Sequence, residues 1–249
     1  MYLREPCFDI DELVKENLHV HTPFSGCAKP EMRVKAIVKR AEELNLQRVA
    51  LVDHFNHRNT PIVEKNIADK FVVELTETKI SFLYGAELSV YGVGKWLDSD
   101  ETNAALDYRL YAANHYHLDF WEQPEEKTPR GYALHTLQVL DALIKSERAD
   151  CIAHPIHGGY VKALPDKNSL AAAVTDEELY TLMLLAKKHK VAWEINIGEA
   201  LADPELTKRM WRFGKEIGSV FHFGTDAHRI ENMDTRAHID ELRSLMPKA

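Results

Sequence analysis

Two histidines stand two apart in Leu18-His19-Val20-His21-Thr22. After a short apolar run, that spacing puts both imidazoles on one face at the end of a strand, because strand side chains alternate. Neutral imidazole is a common ligand of zinc, manganese and iron. One such pair is weak evidence, but the same residue types recur in Asp53-His54, Glu87, His115, His154 and Asp226-Ala-His228. Taken singly, each has an ordinary alternative, a histidine capping a backbone group or Asp226 capping a helix. Taken together, they are more donors than the roughly four to six one ion accepts, so two or three divalent ions (Zn, Mn or Fe) are expected. Glu87 and Asp226 are the natural bridges, since a carboxylate offers two oxygens and imidazole one usable nitrogen. Ions about 3.5–4 Å apart are a hydrolase device, generating hydroxide near neutral pH and neutralising charge on the attacked group.

Such residues meet only if the elements carrying them end on one side. Strands are expected at 17–21, 48–52, 80–86, 108–114, 149–153, 191–195 and 219–223, from β-rich apolar runs. Between them, helices are expected at 31–44, 61–77, 131–148, 175–189 and 203–217, with a last one at 234–245. Thr175-Asp-Glu-Glu178 has the form of a capping box, and Asp203-Pro204 and Gly218 bracket the next helix. The segments 90–106, 117–130 and 156–174 read as irregular. Seven strands, six of them followed by a helix, imply parallel strands with right-handed crossovers. No Gly-x-Gly-x-x-Gly turn follows the first strand, which favours an α/β barrel over a dinucleotide-binding sheet. In a barrel the C-terminal strand ends converge, so candidates from position 19 to position 228 share one mouth.

The 249 residues, 45% of them hydrophobic, suffice for one barrel domain spanning 1–249. A net charge of −8 argues against binding a nucleic-acid backbone. No apolar stretch is long enough to span a membrane. The start, Met1 to Pro6, lacks the apolar core of a secretory signal. Three widely spaced cysteines, Cys7, Cys27 and Cys151, do not resemble a disulfide framework. A cytoplasmic location is expected.

The motifs His19-Val-His21-Thr, Leu51-Val-Asp53-His54, Gly85-Ala-Glu87, Asn114-His115-Tyr116, Ala153-His154-Pro155 and Gly224-Thr-Asp226-Ala-His228 resemble, in order, those of the PHP (polymerase and histidinol phosphatase) family. The resemblance implies a distorted (βα)7 TIM-like barrel with up to three metal ions. It also implies phosphoesterase activity, here on a small phosphomonoester or nucleotide. Carried over, His19, His21, Glu87 and Asp226 would hold one ion. Glu87, His115 and His154 would hold a second. His54 and His228 would share a third with a group from the loop after His21. There the chain departs from many members, which have Asp or His where this one has Cys27. Cys27 is either a thiolate ligand or a small buried side chain. Asp53 and Asn196 are expected to support the ligands, with Glu199 nearby. Arg58, His117, His157 and Arg229 are candidates for substrate contact, with Lys95, Arg130 and Lys162 as further cations. His135, His189, His222 and His238 read as structural. Two other readings stay open: an amidohydrolase-type hydrolase of a C–N or ester bond, and a non-catalytic metal-stabilised binding domain.

Overall fold

The computed structural model describes residues 3–248. Residues 1 and 2, part of the segment read as lacking a signal core, lie outside the described residues. In chain order the elements are α1 (Ile10–Leu13), β1 (Glu16–Val20), α2 (Val34–Glu43), β2 (Arg48–Leu51), β3 (His54–Phe55), α3 (Ile62–Glu74), β4 (Ser81–Gly92), β5 (Lys95–Trp96), α4 (Asp100–Ala104) and β6 (Tyr108–Ala112). They continue with α5 (Pro129–Lys145), β7 (Cys151–Ala153), α6 (Ser169–Ala172), α7 (Asp176–Lys188), β8 (Ala192–Asn196), α8 (Ile197–Ala202), α9 (Pro204–Ile217), β9 (Phe221–Gly224) and α10 (Ile239–Leu245). Single 3-10 turns lie at Pro23–Ser25 and Ile230–Met233.

Seven strands run parallel in the order β1-β2-β4-β6-β7-β8-β9. The ends of this sheet meet at one bridge, Val20 with Ala227. There His21 N–H donates to Ala227 O (3.0 Å) and Ala227 N–H to His19 O (3.2 Å). The fold is therefore a TIM-like α/β barrel, nearly closed, with its seam at the His-x-His and Asp-x-His segments. Leu18, Ala50, Tyr108, Leu110, Cys151, Ala192 and Val220 fill the space between the strands. A larger apolar layer, with Trp193, Phe221, Leu140 and Met183 at its centre, joins strands to outer helices. No helix among the described residues is long and apolar enough to cross a membrane.

Several boundaries differ from expectation. β4 does not stop before Glu87 but runs on to Gly92, because residues 84–90 are buried throughout and β5 folds back on its end. Glu87 thus projects from mid-strand, opposite His54 and Leu110. The second expected strand breaks at Val52-Asp53 and resumes as β3. α5 begins at Pro129, two residues early, because the Thr128 hydroxyl accepts from Gly131 N–H. The capping box at Thr175 and Glu178 is present in both directions, and Gly218 stops α9 with φ +75°.

α3 sits against β4 and α2, and its inner face carries Lys65 and Asn66 beside Ile62 and Val73. Lys65 Nζ lies 2.5 Å from Asp53 and 2.7 Å from Asp69, and Asn66 Nδ2 donates to Gly85 O (3.0 Å). Burial opposes ionisation of Asp53, but the Lys65 charge outweighs it and holds the carboxyl below its usual range. Lys65→Ala strands two carboxylates, one fully buried, and is expected to lower stability by about 3–5 kcal/mol, measured by urea denaturation. A loss under ~1 kcal/mol, the range of an exposed ion pair, would contradict a buried anchor.

Candidate metal centre

The centre is built around Glu87, whose side chain is essentially inaccessible. Its Oε2 faces His54 Nδ1 (2.6 Å), His19 Nε2 (3.6 Å) and His21 Nε2 (3.7 Å). Its Oε1 faces His154 Nε2 (3.0 Å) and His115 Nε2 (3.4 Å). Asp226 Oδ1 stands 2.9 Å from His21 Nε2 and 3.3 Å from His19 Nε2. The ring of His228 stacks on that of His21, with centroids 4.2 Å apart. Donor atoms gather into three overlapping groups: His19, His21 and Asp226; His21, His54 and His228; Glu87, His115 and His154.

The surrounding hydrogen bonds fix which nitrogen faces inward. His19 Nδ1–H donates to Glu194 Oε1 (2.7 Å). The amide of Asn114 gives both its hydrogens to the carbonyls of His154 and His157, so its Oδ1 must accept from His154 Nδ1–H (3.0 Å). His228 Nδ1–H donates to the Asp226 carbonyl (2.8 Å). Ser25 gives its one hydroxyl proton to Asp53 and accepts from His54 N–H, so it accepts from His21 Nδ1–H as well (3.1 Å). Each of these imidazoles thereby aims Nε2 away from its Nδ1 partner, and three of the four Nε2 atoms face a carboxylate oxygen. Two lone pairs facing at such distances repel, so a proton or a metal cation must lie between them. His19 Nε2, His54 Nδ1 and Glu87 Oε2 are buried, and despite the contacts among them none makes a well-directed hydrogen bond. Nitrogen and carboxylate donors of this kind fit zinc, manganese or iron.

The protonation pattern agrees. Burial disfavours a charged His19, yet Glu194 and Asp226 outweigh it and raise its pKa well above the usual value. His54 rises to about 10 by the same contest, won by the Glu87 charge with help from Cys27. His154 is also raised, through Glu87. Burial wins at His21, lowered to about 4, and at His115, lowered to about 3. The carboxylates thus draw protons into places that cations can take.

A profile of the PHP domain family matches residues 17–192, more than half of the chain. The chain belongs to the PHP family. Comparison with curated proteins returns no match. The matched stretch ends at residue 192, so Asp226 and His228 lie beyond it and are brought to the same cluster by the fold.

Of the residues singled out in the sequence, His19, His21, His54, Glu87, His115, His154, Asp226 and His228 converge. The third group, expected at His54 and His228, also draws in His21. Cys27 is exposed, and its thiol lies within hydrogen-bonding reach of His228 and His54. Burial would raise its pKa, but those histidines outweigh it and bring it to about 6, so a thiolate stands at the rim of this group. Asp53 holds Thr22 and Ser25, and so acts on His21 through Ser25. Asn196 supports no ligand. Its Oδ1 caps α8 by accepting from Glu199 N–H (3.3 Å).

That supporting place belongs to Glu194, two residues earlier in β8, which its apolar strand setting does not mark as a site residue. Its second oxygen accepts from His154 N–H (2.6 Å). A Cβ at Gly224 would lie 2.3 Å from Glu194 and 2.6 Å from His19, so only glycine admits this contact. His154 and Asp226 both hold positive φ (29° and 52°), a strain that tightly determined sites tolerate. Asn114 and Ser25 were also missed. Their signal was a polar residue beside a ligand, too common to read from types alone.

His157 is buried against Glu199, and His117 packs on Tyr160 and His115. Arg58 reaches Tyr91 (3.5 Å) and Arg229 reaches Glu231 (3.8 Å). Arg130 is engaged by Glu178 and Lys95 by Glu122, so neither is a free cation at the mouth. His222 bonds Tyr108 and His135 bonds Tyr116, both structural roles.

Glu194→Gln keeps one acceptor oxygen where two N–H groups need one each, and is expected to weaken metal binding about 10–100-fold in a competition titration. An unchanged affinity would remove Glu194 from the centre. Metal binding is further expected to release protons and to strengthen as pH rises, because cations displace protons from His19, His54 and His154. Calorimetry in buffers of different ionisation enthalpy reads this directly, and zero proton release would contradict it.

Proposed function

We propose that this chain is a metal-dependent phosphoesterase of the PHP family, acting on a small phosphomonoester or nucleotide. One observation carries the reading. A single buried carboxylate, Glu87, presents one oxygen to His115 and His154 and the other to His19, His21 and His54, the arrangement of a bridge between ions. When bound, divalent ions there supply Lewis acidity that activates water and neutralises phosphoryl charge.

The chain's own residues do the rest. Asp226, His54 and His228 keep 24%, 20% and 26% of their side-chain surface open, whereas His19 and His21 keep none. Substrate and water therefore enter beside Asp226. Asp226, held ionised against its partial burial by His19 and His21, is placed to help hold an ion and to orient the incoming water. Tyr160 covers the opposite side, its ring 4.9 Å from His115 and 5.5 Å from His154. Lys162 Nζ donates to the His117 carbonyl (3.4 Å), which holds an exposed cation beside that ring. Together His117, Tyr160 and Lys162 form a donor-bearing rim suited to phosphoryl oxygens. With its net charge of −8, the chain suits a small ligand better than a nucleic-acid backbone.

The test is a screen of phosphorylated metabolites and p-nitrophenyl phosphate with protein loaded with Mn²⁺ or Zn²⁺. Phosphate release that falls to background in Glu87→Gln supports the proposal. Hydrolysis confined to amides or carboxylic esters would replace it with the amidohydrolase reading. No turnover by fully loaded protein would replace it with a binding domain.

A further inference from the structure

The largest exposures of big apolar side chains among the described residues fall on one helix. Ile67, Phe71 and Leu75 of α3 and its C-terminal cap are 66%, 61% and 62% exposed, whereas Leu184, the next, is 50%. They stand at i, i+4 and i+8, so they form one continuous ridge. The same helix buries Ile62, Lys65, Asn66 and Val73 toward the barrel. Its inner face is thus mixed, with Lys65 and Asn66 anchoring Asp53 and the Gly85 carbonyl, while three large apolar residues stand on the outer face, where an ordinary surface helix is polar. Nothing of that kind explains the outer face, and a contiguous exposed apolar ridge marks an interaction surface.

We propose that this ridge is the contact between two copies of the chain, with α3 packed antiparallel on α3 of the second copy about a two-fold axis beside Phe71. A two-fold contact requires a surface complementary to itself. This ridge meets the condition in shape and in charge. Antiparallel pairing sets Ile67 against Leu75 of the second copy and the two Phe71 rings together. Along one flank lie Lys70 and Glu74, both exposed. In this register Lys70 of each copy lies on the same flank as Glu74 of the other, offset by about 3 Å along the helix axis and within side-chain reach. An i±4 ridge interdigitating with its own copy is a common helix packing. One helix pair is a small interface, so the dimer dissociates on dilution. None of this depends on the metal centre being catalytic.

Sedimentation equilibrium of the full chain over micromolar to millimolar concentration tests it. The parent is expected to show a reversible monomer–dimer equilibrium. Phe71→Asp should raise the dissociation constant about a hundredfold or more, since two buried aromatics are lost per dimer. Lys70→Glu should weaken the dimer, and Lys70→Glu combined with Glu74→Lys should restore it. A monomer throughout that range would overturn the proposal. So would a dimer indifferent to Phe71→Asp, or a charge exchange that fails to restore what Lys70→Glu removes.

Discussion

Everything in this structure that bears on function depends on a buried carboxylate, Glu87, surrounded by imidazoles. An ionised group without water must be matched by charge and donors, or burial drives it neutral. Here the match comes from five histidines carried by β1, β3 and the loops after β1, β6 and β7, which the nearly closed ring of parallel strands brings around one side chain. The seam between Val20 and Ala227 falls where the closure also locks His19, His21, Asp226 and His228 in place.

The supporting layer is as specific as the ligands. Glu194 holds His19 and the backbone of His154, Asn114 holds the ring of His154, and Ser25 with Asp53 holds His21. Each of these bonds settles a tautomer, and so aims a lone pair. The positive φ at His154 and Asp226 and the obligatory absence of a side chain at Gly224 show how closely the backbone is bent to that purpose. The chain from Ser25 through Asp53 to Lys65 links the centre to α3, whose inner face buries a lysine for this reason.

Much of this was legible in the sequence. Histidines and acids at strand ends name themselves by type, and the strand–helix alternation dictates that those ends converge. The barrel and the eight converging candidate ligands follow from those two patterns. Glu194 was not legible, since a carboxylate in an apolar strand reads as an outward-facing residue unless its partners across the barrel are known. Nor was the role of Asn196 apart from Glu194, because both sit on β8 two residues apart and only the start of α8 separates their tasks. The run of Glu87 into mid-strand was hidden because β4 is buried on both faces and gives no alternation to mark its end.

The most direct measurement is the number and position of metal ions in the purified chain, by elemental analysis together with diffraction at the metal absorption edge. Ions on both sides of Glu87, one bounded by His115 and His154 and at least one bounded by His19, His21 and Asp226, are the predicted result. A single ion, or none contacting Glu87, would contradict the bridging carboxylate from which the rest of the account is built.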